Sequence, residues 1–195
     1  MAVSVRHVKE ADDRPWAGLW SADPAISRLV FTDAVSHAFA NGWQVWVAED
    51  TKILGVALWL PPGVDEGTEF FARGMKAMPE HLAVHALTVV VPEFMKLDSI
   101  VPGSKQAWWF LSFLGTHPDA QGRGVGSALM RAKMDAVDGP FALSTGTESN
   151  LAWYGHRGFV TRGSIKAPQH DGWLWEERYM THPGDAVVDG GVKRQ

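Results

Sequence analysis

Between Phe113 and Leu129 the chain reads Phe-Leu-Gly-Thr-His-Pro-Asp-Ala-Gln-Gly-Arg-Gly-Val-Gly-Ser-Ala-Leu. An apolar run ends at Pro118, and glycines alternate at 122, 124 and 126. A helical pattern follows, with Val125, Leu129, Ala132 and Ala136 on one face. Glycines let the backbone turn its N–H groups inward and let a ligand come close. The first turn of the helix adds unpaired donors and a partial positive charge. Together they form an anion site, and a diphosphate is its natural occupant. Arg123 can add a charge-assisted contact and the Ser127 hydroxyl a further hydrogen bond. The plain alternative is a tight turn, which would not need the helix behind it.

Three phosphate motifs must be told apart. A P-loop needs G-x-x-x-x-G-K-[ST], and the chain has no Gly-Lys pair. The dinucleotide fingerprint G-x-G-x-x-G fails at Ser127. The pattern Q/R-x-x-G-x-G/A is matched in full by Gln121, Gly124 and Gly126. Downstream, Asn150-Leu-Ala-Trp153-Tyr154-Gly-His-Arg157-Gly-Phe159 fits N-x-x-x-Y-x-x-x-G-F. With these two linked motifs the chain resembles the GNAT family, the Gcn5-related N-acetyltransferases, from about Ser4 to about Met180. Val45–Ala48, Trp109–Leu111 and the Asn150–Tyr154 segment are similar to the puromycin N-acetyltransferase-like branch.

The resemblance implies acetyl-CoA as co-substrate and direct attack of an amine on its thioester. The pyrophosphate would lie on Gln121, Gly122, Arg123, Gly124, Val125, Gly126 and Ser127. Backbone groups at Leu114, Gly115 and Thr116 would hold the pantetheine arm, and Leu114 would polarise the acetyl carbonyl. Tyr154 is the expected general acid for the thiolate. Asn150, Trp153 and Arg157 are expected beside the cofactor. Asn150 can also cap its helix, and Tyr154 can equally be a core tyrosine.

The base is unassigned. An alkylammonium has a pKa near 10.4 and must lose a proton before it attacks. Lys105–His117 contains no Asp or Glu, and Ser144 stands where puromycin-type relatives resemble each other in carrying a glutamate. Ser144, Thr145, Glu148 and His117 are candidates for ordering water. His81 and His85 have ligand spacing, but no H-E-x-x-H motif accompanies them, so no metal is expected.

Elements must position these groups. The expected strands are Val3–Val8, Trp43–Glu49, Ile53–Leu60, Lys105–His117, Phe141–Thr145, Phe159–Lys166 and Trp173–Met180. The expected helices are Ala11–Leu19, Ile26–Ala40, Asp65–Met78, Pro79–Leu97 (broken or kinked at Pro92), Gln121–Val137 after its glycines, and Asn150–Arg157. This is an α/β domain. By the resemblance it is a mixed, mostly antiparallel twisted sheet of six to seven strands, flanked by helices. The strands around 105–117 and 141–145 would splay apart. One domain over 1–182 and a frayed tail over 183–195 are expected.

Composition narrows the classes. The 195 residues hold no cysteine, which excludes a disulfide scaffold, a zinc-thiolate site and a cysteine nucleophile. Net charge is −4, against a nucleic-acid partner. The longest apolar run, Ile53–Pro62, is too short to span a membrane, and a cytoplasmic protein is expected. Ten tryptophans fill the core or line an aromatic pocket for a cationic acceptor. The resemblance favours an N-acetyltransferase of a small-molecule amine, as monomer or homodimer. The alternatives are a protein or peptide N-acetyltransferase and a non-catalytic CoA-binding module, the latter suggested by the absence of a strand-borne carboxylate.

Overall fold

A computed structural model of the chain describes residues 4–8, 24–64, 73, 76, 80–101, 103, 107–168 and 174–183. The strands are β1 (Ser4–Val8), β2 (Gln44–Glu49), β3 (Ile53–Leu60), β4 (Trp109–Thr116), β5 (Phe141–Thr145), β6 (Val160–Pro168) and β7 (Leu174–His182). The α-helices are α1 (Pro24–Ala40), α2 (Glu80–His85), α3 (Val91–Met95), α4 (Leu97–Ile100), α5 (Val125–Ala136) and α6 (Glu148–Gly155). The expected helix at 11–19 lies outside the described residues, as does the one at 65–78 except for Arg73 and Lys76.

The seven strands form one sheet in the order β1-β2-β3-β4-β5-β7-β6. All neighbours are antiparallel except β4 and β5. A parallel neighbour needs a crossover, and α5 provides it. Alternation along the strands sorts the core into two layers. Val45, Val47, Leu58, Phe110, Ala142 and Tyr179 face one side, where Ala34 and Ala38 of α1 pack. Leu54, Trp59, Leu111, Leu143 and Met180 face the other, beneath Val125 and Leu129 of α5 and Tyr154 of α6.

Gly55 lets α5 sit close to β3. A Cβ there would lie 2.6 Å from Val125 Cγ1 and 3.0 Å from the Gly115 carbonyl oxygen. That closeness fixes where the first turn of α5 stands relative to β4.

The sequence expectations need three corrections. The strand before Pro118 begins at Trp109 rather than Lys105. Pro92 does not end the helical run. A π-helical stretch over Ala86–Val90 precedes it, and the Val91 N–H reaches back to the Ala86 carbonyl. Pro92 then falls in the first turn of α3, where a missing N–H is tolerated. Finally, Thr147 caps α6, its Oγ1 accepting from the Asn150 N–H at 3.2 Å. Asn150 is therefore inside the helix and not its cap.

Candidate active site

β4 and β5 part company halfway. Pairing holds at Trp109–Phe141, Phe110–Ala142 and Leu111–Leu143, and then stops. Ser112–Thr116 and Ser144–Thr145 run on with no pairing between them. A bulge marks the point of divergence: Leu58 faces Phe113 and Trp59 faces Leu111, so Ser112 is the extra residue. A bulge bends its strand and re-aims the groups beyond it. Leu114, Gly115 and Thr116 stay paired to β3 on one side only. Backbone groups directed to the other side open into the gap, where an extended arm bearing amides could pair with them.

Directly after β4 the chain makes the glycine turn. Gly122 and Gly124 have φ of +71° and +82°, which only glycine adopts without strain. Gly124 is the N-cap of α5. The N–H groups of Val125, Gly126 and Ser127 form the helix's open first turn, the geometry that holds an anion. Gln121, Gly122, Arg123 and Gly124 are exposed, whereas the Val125 side chain is buried in the core. Val125 therefore offers its backbone and not its side chain.

α6 closes on this turn. The Arg157 guanidinium lies 3.4 Å from the Trp153 ring centre and donates to the Trp153 carbonyl at 2.6 Å. It also donates to Ser127 Oγ, which ties the two helices together. A Cβ on Gly126 would stand 3.4 Å from the Trp153 ring and 3.7 Å from Thr116 Oγ1. So Thr116, Gly126, Ser127, Trp153 and Arg157 meet in one place, beside the open turn. Asn150 is exposed on the first turn of α6.

Tyr154 is 7% exposed and packs edge-on against Trp153 and Phe159. Burial pushes its phenol well above the usual tyrosine range, the nearby Glu177 adds to the rise, and Arg157 opposes it. The phenol thus keeps its proton at any ordinary pH. Sequence reasoning missed Glu177 altogether. This carboxyl on β7 is 9% exposed, and burial raises its pKa to about 7 against the pull of a Ser144 hydrogen bond and the Arg178 charge. Alternation in Leu174–His182 was the available signal, since it places Glu177 on the same face as Tyr179. A strand-borne carboxylate is therefore present, on β7.

The tryptophans divide. Trp43, Trp59 and Trp108 are buried core residues. Trp46 and Trp109 surround a cation, but it belongs to the chain: Lys133 Nζ is 3.1 Å from the Trp109 ring centre and 5.9 Å from that of Trp46. Trp173 lies outside the described residues.

A splayed parallel pair followed by a glycine turn and helix defines a class of acetyl-transferring domain. The family described as Acetyltransferase (GNAT) family matches residues 6–159. The chain belongs to the GNAT family and is an N-acetyltransferase, a class that uses acetyl-CoA as acetyl donor. Solved structures agree on the fold. Histone acetyltransferase HPA2 and related acetyltransferase from Corynebacterium glutamicum is 25% identical, with a TM-score of 0.55, covering 89% of this chain and 82% of that one. The polyamine N-acetyltransferase of Drosophila melanogaster, which forms N-acetylagmatine, is 13% identical, with a TM-score of 0.54, covering 92% and 99%. The ribosomal-protein-S18-alanine N-acetyltransferase of Escherichia coli is 13% identical, with a TM-score of 0.51, covering 100% and 99%. These relatives act on both small molecules and proteins. Among the described residues no helix is long and apolar enough to cross a membrane.

Proposed function

We propose that this acetyltransferase carries an acetyl group directly from acetyl-CoA to a primary amine of a small molecule, with Tyr154 as general acid. The observation that carries the reading is the position of Tyr154. It is buried against the sheet face that α5 covers, on the helix whose Trp153 and Arg157 adjoin the glycine turn. The turn's open N–H groups and Arg123 hold the diphosphate. The unpaired edge at Leu114–Thr116 takes the pantetheine amides and polarises the thioester carbonyl. The amine attacks, the C–S bond breaks, and the leaving thiolate takes the phenol proton of Tyr154. With no cysteine in the chain, no enzyme thiol can carry the acetyl group between donor and acceptor. A phenol only 7% exposed favours a slender acceptor that can reach below the surface.

A competition assay tests the choice of substrate. Small primary amines and peptides with free N-termini or lysines are offered with acetyl-CoA. Acetylation of the small amines with none of the peptides is expected. Acetylation confined to peptides would overturn the small-molecule reading.

A further inference from the structure

Arg157 stands just beyond α6, and the way that helix ends holds it there. Its N–H donates to the Tyr154 carbonyl at 2.9 Å, and the Phe159 N–H reaches the same carbonyl at 3.3 Å. Gly158 between them has a φ of +85°, the left-handed turn that closes a helix. The Arg157 side chain then folds back over α6. One terminal nitrogen donates to the Trp153 carbonyl at 2.6 Å, and the guanidinium carbon lies 3.4 Å from the Trp153 ring centre. The other terminal nitrogen donates across to Ser127 Oγ. The two contacts with Trp153 thus aim the cation at one atom of α5.

Ser127 is the third residue of α5, in its open first turn. A guanidinium can only donate, so the serine oxygen accepts from it and keeps its own O–H to give. Among the described residues no group accepts that O–H. Among the same residues no carboxylate pairs with Arg157. Arg131, one turn on from Ser127, adds a further cation to that face of α5. A cation without a counter-ion therefore polarises a hydroxyl with a proton to spare, beside the unpaired N–H groups of a helix start. All three favour an anion.

We propose that Arg157 is a positioning residue for the diphosphate of acetyl-CoA, acting through Ser127 and not by touching a phosphate itself. This rests on the reading above that seats the diphosphate on the glycine turn. Arg157 fixes the Ser127 side chain so that its O–H is the donor to a phosphate oxygen. A hydroxyl that accepts from a cation is a stronger donor in turn, since hydrogen bonds in a chain polarise one another. The contacts that hold Arg157 come from the chain itself. The hydroxyl is therefore oriented in advance, and binding costs less ordering.

A double-mutant cycle tests this, with acetyl-CoA affinity read by isothermal titration and Tm measured alongside. Arg157→Ala and Ser127→Ala are each expected to raise the dissociation constant about tenfold. The double variant should bind no more weakly than the worse single one, because both changes break the same relay. Additive losses, about a hundredfold in the double variant, would show that Arg157 acts independently of Ser127 and would overturn the proposal. Acetyl-pantetheine lacks the diphosphate, so its affinity should fall far less in Arg157→Ala than that of acetyl-CoA. An equal loss for both ligands would mark a merely structural role and count against the proposal. Arg157→Lys keeps the charge but not the fork that spans Trp153 and Ser127, so it should recover only part of the affinity. If Arg157→Ala fails to fold, the cycle is run with Arg157→Lys, and additivity with Ser127→Ala there is equally contrary. Arg123→Ala separates the two readings. If it alone weakens binding, this proposal fails. If Arg123→Ala, Ser127→Ala and Arg157→Ala all leave affinity unchanged, the diphosphate is not on this turn, and the parent reading fails.

Discussion

The Lys133 ammonium and the Trp109 indole face each other inside the protein, 3.1 Å from nitrogen to ring centre. Lys133 has no exposed surface, and it donates a hydrogen bond to Gln44 Oε1 at 2.7 Å. Burial lowers its pKa to about 7 from an ordinary value of 10.5. The ring and the amide oxygen return part of the desolvation cost, since a desolvated cation–π pair contributes about 2 kcal/mol.

This buried cation makes stability depend on pH. Below about 7 the lysine is charged in both folded and unfolded chains, and the folded state bears the full penalty. Between 7 and 10.5 the unfolded chain binds more protons, so stability rises with pH. Lys133→Met should therefore raise Tm at pH 6, and its advantage should fade towards pH 10. Thermal melts across that range check it. A constant difference would show that the charge of Lys133 does not set the effect.

The glycine turn makes a separate prediction for cofactor affinity. Arg123→Ala removes a charge-assisted contact and should raise the acetyl-CoA dissociation constant by about tenfold or more. Gly124→Ala puts a Cβ on a residue at φ +82°, at a cost of about 1–2 kcal/mol. It should weaken binding as the turn relaxes away from that conformation. Isothermal titration reads both, and unchanged affinity in both would remove the pyrophosphate from this turn.

Tyr154→Phe keeps the ring contacts with Trp153 and Phe159 but removes the proton donor. We expect kcat to fall about 10²-fold while acetyl-CoA affinity is nearly kept. The wild-type phenol is held above its ordinary pKa of 10. Activity should therefore show no fall from phenol ionisation between pH 8 and 10. Steady-state kinetics over that range test both statements. Unchanged turnover in the variant would leave Tyr154 a core residue.

Much of this was legible in the residues. Gln121, Gly124 and Gly126 form a local motif, and local motifs survive without knowledge of the fold. The strand alternation was likewise local, as were Val125 and Leu129 on the buried face of α5, although Met130 and Lys133 complete that face and Ala136 is exposed. Glu177 and Lys133 were not legible, for one shared reason. A charged residue next to other charges reads as solvated, and only the register against neighbouring strands buries it. Glu177 sits between Glu176 and Arg178, paired to Ile165 of β6 on one side and one residue past its strand's ladder with β5 on the other. Lys133 lies one turn beyond Leu129 on the apolar face of α5, where aromatic rings from β2 and β4 receive it. Asn150 was the expected cap; the actual cap, Thr147, went unnoticed because backbone geometry starts the helix two residues earlier.

The most direct test is the release of free CoA thiol from acetyl-CoA by the purified chain, measured against a panel of small primary amines. Each acetylated amine is weighed by mass spectrometry. Direct transfer predicts saturable, amine-dependent thiol release, equimolar with the amide formed. Tight acetyl-CoA binding without thiol release for any small amine would contradict it.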